Sequence, residues 1–239
     1  MKKVILCTLI ISLIFALNVK VLETNDNEAK DLVAMTEGGR LYDKWYKASK
    51  EAKKPTTVHP KYPKHGQKLL KPSNTWRCKE CHGWDYNGKD GAYKKGTHFT
   101  GIKGLQSIKG KSSAMTLKLF NKSHPEFKEH LTQKEITQIS HFLSVGIFDM
   151  DKIIDSKTKL VKQGNPQKGK IYYRTLCTQC HGQKGVEVKD MPDLHVLSLK
   201  NPWETLHKIL YGQPDEQMPA LGALDKKVSI DILSYLQKK

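Results

Sequence analysis

Cys78-Lys79-Glu80-Cys81-His82 and Cys177-Thr178-Gln179-Cys180-His181 are the two stretches that decide how this chain is read. Both follow C-x-x-C-H, the attachment pattern for c-type haem. Two thiols a helical turn apart can each form a thioether to one vinyl group of a porphyrin. The adjacent imidazole then reaches the iron as proximal ligand. A thioredoxin-like thiol pair would want a βαβ setting, which the surrounding sequence does not supply. A four-cysteine zinc site would leave a histidine directly after each second cysteine as coincidence. The expectation is two covalently bound c-type haems, one held by Cys78, Cys81 and His82 and one by Cys177, Cys180 and His181.

The totals agree. At 239 residues the chain has room for two small domains, and the motifs lie 99 positions apart, a plausible repeat period. Hydrophobic residues are only 38% and aromatics 8%, modest for two self-sufficient cores; a covalent porphyrin in each would supply the missing apolar body. The formal net charge of +17 points to acidic partners, anionic lipid or nucleic acid. Lysines spread through every segment, rather than clustered, weaken the nucleic-acid reading, and haem domains behind an export signal favour an acidic redox partner or a lipid surface, so no nucleic-acid partner is expected.

Lys2 and Lys3 precede an apolar run from Val4 to Leu17, followed by the polar, acidic Glu23 to Asp31. This is a charged n-region and an h-region too short for a comfortable membrane span. It reads as an export signal or an uncleaved N-terminal anchor over 1–22. Cys7, inside the apolar run, lacks a lipoprotein cleavage box. The other four cysteines are all consumed by haem, and a periplasmic destination is expected, with membrane anchoring through the N-terminus as the variant.

Along the chain, Asp26 to Lys30 reads as a charged connector and Glu37 to Ala52 as a helix with Leu41 and Trp45 on one face. Four prolines between Lys54 and Ser73 make that stretch a loop. Trp76 leads into the first motif, and a glycine-rich stretch, Gly83 to Gly110, follows it. A helix is expected from Ser112 or Ser113 to Lys122. Another starts at Thr132, where Glu135 completes a capping box, and runs to Gly146. In the second half, Lys168 to Cys180 offers an apolar stripe of Ile171, Tyr172 and Leu176. Asn201-Pro202-Trp203-Glu204 is a strong helix start, with Gly212 as its stop. Asp225 opens a terminal helix carrying Val228, Ile232, Tyr235 and Leu236.

The halves can be overlaid. Matching Leu131 with Leu224 brings Ile139 onto Ile232, Phe142 onto Tyr235 and Leu143 onto Leu236. Gly39-Arg40-Leu41-Tyr42 matches Gly169-Lys170-Ile171-Tyr172. The first half then holds a long insertion, carrying His59, His65 and the prolines, before its motif. The expected organisation is all-α, an internal duplication: a first domain over 36–146, a linker over 147–166 and a second domain over 167–239.

The order of N-terminal helix, C-x-x-C-H, middle helix, Met-Pro and terminal helix resembles the class I cytochrome c domain, closely over Gly169 to Leu236. That resemblance implies Met218, before Pro219, as distal ligand, and Pro192 as the residue whose carbonyl takes the hydrogen bond of His181. The stretches GGRLYDKWYKA, TWRCKECHGWDYNGKDGAY and NPWETLHKILYGQP are similar to those of tandem dihaem cytochromes that act as electron carriers. The first half departs from the pattern in its insertion and in having no Met-Pro.

Met218 also has an argument of its own. It stands in a turn-rich polar loop between two helices, where a core role is hard to assign, although Met is a general gap-filler. In the first half, His124-Pro125 lies one position from the place Met218-Pro219 occupies in the overlay, so His124 is the first choice as distal ligand. His130, Met115, His59, His65 and His98 remain candidates, and a solvated histidine is the common fate in a chain with ten of them. The expected function is single-electron transfer between protein partners, a carrier more than an enzyme. The alternatives are a haem enzyme similar to thiosulfate dehydrogenase or a dihaem peroxidase, or a haem subunit of a larger oxidoreductase.

Overall fold

A computed structural model describes residues 26–64 and 70–238. The expected export signal, Cys7 and His65 lie outside the described residues. Among these residues the architecture is helical and has no strand, only two isolated bridges, Gly88 to Lys103 and Ile154 to Val161. No described helix is long and apolar enough to cross a membrane.

Helix α1 runs through 26–48. The charged connector expected at Asp26 to Lys30 is therefore helical, and no Gly or Pro interrupts it. The helix stops four residues before Ala52, because the Ser49 hydroxyl accepts from the amides of Glu51 and Ala52 and turns the chain. The proline-rich stretch then wraps round as loop and enters a short 3-10 turn, Pro72–Trp76, ahead of α2, Cys78–His82.

Helix α3, Ser113–Ser123, is capped by the Ser112 hydroxyl, as its sequence suggested. Helix α4, Gln133–His141, starts with the full capping box of Thr132 and Glu135 and continues into a π turn, Phe142–Gly146. The linker expected over 147–166 is no open connector. Ile147, Phe148, Met150 and Ile154 are buried and belong to the core, since a run this apolar gains more from burial than from solvent.

In the second half α5 is Pro166–Leu176 and the short α6 is Thr178–His181. The stripe expected on α5 is corrected: Ile171 and Leu176 are exposed, and Gly169 and Tyr173 form its buried face. Helix α7, Leu194–Lys200, capped by Asp193, had no counterpart in the sequence reading. Helix α8, Pro202–Tyr211, has the expected Asn201 cap and Gly212 stop. Helix α9, Lys226–Lys238, closes the chain and lies across α5.

The same contacts recur in the two halves. A Cβ added to Gly38 would collide with the Gln138 carbonyl and approach Phe142, and one added to Gly169 would collide with the Asp231 carbonyl and approach Tyr235. Tyr42 donates to the Gly83 carbonyl at 2.6 Å and Tyr173 to the Gly182 carbonyl at 2.8 Å, each glycine directly following a C-x-x-C-H motif. Gln138 with Phe142 and Asp231 with Tyr235 keep the overlay of the terminal helices. The N-terminal overlay moves by one residue: Gly38 pairs with Gly169, and Tyr42 with Tyr173.

Gly39 has a different task. It faces the Tyr211 ring of α8 at 2.5 Å from where a Cβ would stand, so α1 is held between α4 and α8. Helix α8 is buried nearly all round, the pattern of a helix inside a core. Its His207 bonds the Gly39 carbonyl through Nε2 and the Tyr86 hydroxyl through Nδ1, and Tyr211 donates to the Gly146 carbonyl. One core thus runs through both halves, with α8 as the shared element.

Candidate haem sites

The first motif opens onto an apolar cavity. Cys78, Cys81 and His82 stand on its wall with Leu105, Phe120, Ile139 and Leu143, and His124 and His59 line it as well. His82 is oriented by a hydrogen bond of 2.8 Å between its Nδ1 and the Lys103 carbonyl. A carbonyl only accepts, so the Nδ1 carries the proton and Nε2 is left for a metal. Burial pushes the His82 imidazole down to about 4, so the ring is neutral at pH 7, as an iron ligand must be.

His124 faces it. The two ring centres are 6.1 Å apart and the rings are perpendicular. Two imidazoles sharing one metal would have centres roughly 6 Å apart, given metal–nitrogen bonds of about 2.0–2.1 Å. The other candidates lie elsewhere. His130 packs on Trp76 and Trp45, His98 stacks on Tyr93 beside Glu80, and Met115 is exposed. Burial also pushes the Cys78 and Cys81 thiols up to about 12, which removes the thiolate a redox pair would need.

His59, His124 and Glu126 form the one cluster among the described residues with metal-ligand spacing. Its hydrogen bonds argue against an ion there. His59 Nδ1 accepts from the Lys61 amide at 3.1 Å, so its proton sits on Nε2, which lies 3.2 Å from Glu126 Oε1. The Lys61 ammonium holds the same carboxylate at 2.9 Å, where a cation would be repelled. Burial drives His59 down to about 4, so the ring stays neutral. The four motif cysteines are not part of any such cluster among the described residues.

The second motif is built with less around it. Cys177 caps α6, half-buried, while Cys180 is exposed. Burial pushes the Cys177 thiol up to about 11. His181 Nδ1 is buried and has no hydrogen-bond partner. The contact to the Pro192 carbonyl is thus not made; Pro192 itself is exposed. No described residue therefore orients the His181 ring in the way the Lys103 carbonyl orients His82. Met218 is half-buried, and its carbonyl accepts from Arg40 Nη2 of α1 at 3.2 Å. Lys47 of α1 pairs with Asp215 of the same loop at 2.7 Å. The loop bearing Met218 is therefore held by the N-terminal half.

Buried charge surrounds the first motif. Asp43 of α1 binds the Arg77 guanidinium and, at 2.8 Å, the Lys208 ammonium of α8. Burial opposes its ionisation, but Lys208 and Arg77 hold the carboxyl well below the usual range. Glu80 is likewise 2% exposed and paired with Lys79 and His98. None of this was read from the sequence. Nor was the Lys103 carbonyl, since a backbone acceptor leaves no residue signature.

The donor sets of both sites fit a covalently attached haem: paired thiols, a neutral imidazole after them, and in the first site an apolar cavity with a second imidazole opposite. Residues 164–236 match the family described as cytochrome c oxidase, cbb3-type, subunit III. No curated protein and no solved structure matches the chain. Over that matched segment the chain carries a c-type cytochrome domain, the kind of domain that holds an iron-bearing haem covalently and transfers electrons.

Proposed function

We propose that this protein is an exported dihaem c-type cytochrome that passes single electrons between protein partners. In this reading each half is a class I cytochrome c-like domain: Cys78, Cys81 and His82 hold the first haem, Cys177, Cys180 and His181 the second. The recurrence of Gly38 and Tyr42 as Gly169 and Tyr173 supports the duplication. Met218 is the distal residue of the second site. When bound, each haem supplies a one-electron ferric–ferrous couple.

The single observation that carries the function is His124 facing His82 across the first cavity. With imidazoles on both sides, the first site has no open position for a substrate, which favours transfer over catalysis. The surrounding residues do the rest of the work. The Lys103 carbonyl fixes the His82 ring, Phe120, Ile139 and Leu143 exclude water, and a surplus of lysines steers the protein toward acidic partners. The location proposed is the periplasm, where the sequence 1–22 would direct the chain.

Intact mass of the denatured protein, expressed with a c-haem maturation system, tests the count. Two haem additions are expected, and a mass with one or none overturns the dihaem reading. A second reading, a haem subunit of a larger oxidoreductase, is favoured by the family matched at 164–236. Gentle extraction followed by native sizing separates the two: a carrier runs as a free small protein, a subunit with its complex.

A further inference from the structure

The long insertion before the first motif has no counterpart in the second half, and its residues converge on one carboxylate. Resting on the reading of His124 as distal ligand, we infer that Glu126 is a positioning residue for that ligand, held in place by His59 and Lys61 of the insertion. It would fix the tautomer of His124 and set the potential of the N-terminal site.

The geometry assigns every donor. Glu126 Oε1 lies 3.3 Å from His124 Nδ1, 3.2 Å from His59 Nε2 and 3.0 Å from Lys61 Nζ. A carboxylate oxygen can only accept, so Nδ1 of His124 carries the ring proton and Nε2 keeps its lone pair for iron. His59 cannot compete for that place. Its Nδ1 is occupied by the Lys61 amide, and its own amide is tied to Thr75 at 2.9 Å. Its ring also packs edge-on against Trp76, with centres 4.5 Å apart. The Lys61 ammonium bonds the Ser123 carbonyl as well, so one side chain pins both flanks of His124.

A carboxylate accepting the Nδ1 proton makes the imidazole a stronger donor to metal and favours the ferric state. One electron arrives from the donor protein on reduction, while the proton stays on His124, shared with Glu126. The Lys61 charge moderates the carboxylate. Removing the two charges should therefore move the potential in opposite directions, which simple damage to the fold would not do.

The test is a spectroelectrochemical titration and low-temperature electron paramagnetic resonance of the full holoprotein and three variants. Glu126→Gln is expected to shift the N-terminal couple toward the reduced form by about tenfold at fixed potential, about 59 mV upward for one electron. Lys61→Met should shift it the other way, and Glu126→Asp should stay near the wild type. The C-terminal couple serves as internal control for folding in each sample. If Glu126→Gln and Lys61→Met both leave the N-terminal couple and its g-values unchanged while the wild type is bis-imidazole, the inference fails and the His124 reading stands. If the wild-type signal is not bis-imidazole, the His124 reading itself fails, and this inference with it. If Glu126→Gln does not fold, Lys61→Met decides alone, because the Lys61 side chain is half exposed; no downward shift there overturns the inference.

Discussion

The N-terminal and C-terminal sites use one frame and differ in what surrounds it. In both, a glycine lets the first helix touch the backbone of the last, and a tyrosine reaches the glycine after the motif. In the first, the proximal ring is tied to Lys103, a second histidine stands opposite, and an insertion clamps that histidine through Glu126. In the second, His181 Nδ1 has no partner, Cys180 is exposed, and the Met218 loop is steadied by Arg40 and Lys47 of the other half. In the dihaem reading proposed, the frame fixes where each haem would go. In that reading the additions would decide how it is ligated and how wet it is, and so which potential it takes, within a range of about 0.8 V set by axial ligands.

The sharpest way to break the comparison is His124→Ala. Removing the imidazole opposite His82 should leave an iron in the first site open on that side, so cyanide or nitric oxide should bind there and the absorption spectrum should change for half of the total haem, with the C-terminal site unaffected. A six-coordinate, unreactive first site in this variant would move the distal ligand elsewhere.

Asp43→Asn comes next, because Asp43 joins α1 and the motif to α8, and so one half to the other. Removing one member of a buried ion pair costs about 3–5 kcal/mol, read as a lower denaturant midpoint at pH 7. The pH dependence has a definite sign. The folded carboxyl lies below its ordinary value, so its stabilisation is present above about pH 3.9 and is lost as pH falls toward the folded value. Asp43→Asn should flatten the acid limb of the stability curve. An unchanged acid limb would place the sensitivity in other carboxylates.

The smallest effect expected is from the paired glycines. Gly38→Ala and Gly169→Ala should each cost about 1–3 kcal/mol from overpacking, measured by chemical denaturation. Similar costs would sharpen the duplication. If Gly39→Ala rather than Gly38→Ala mimics Gly169→Ala, the one-residue shift is wrong.

That shift shows where the sequence was readable and where it was not. The motifs, the Thr132–Glu135 box and the Asn201-Pro202-Trp203-Glu204 start are local signals, and each lies where its residues indicate. The glycine and tyrosine doublets are ambiguous by construction. Gly38-Gly39 and Tyr172-Tyr173 fit either register equally well, and only contact with Gln138, Tyr211 and the Gly182 carbonyl separates them. Helix α7 went unread because its Asp193 cap follows a proline in a loop-like stretch. The apolar residues of 147–154 were legible but were passed over as a linker, whereas the meeting of His59 and Lys61 with Glu126 joins positions more than sixty residues apart, which no local pattern carries.

The central claim is that two haems share this chain and that their axial ligands differ. Low-temperature electron paramagnetic resonance of the fully oxidised protein tests it most directly. The account predicts two low-spin ferric signals of equal weight, one with bis-imidazole g-values from His82 and His124 and one with imidazole–thioether g-values from His181 and Met218. A single signal, two signals of one ligand type, or a high-spin component of half the total would contradict it.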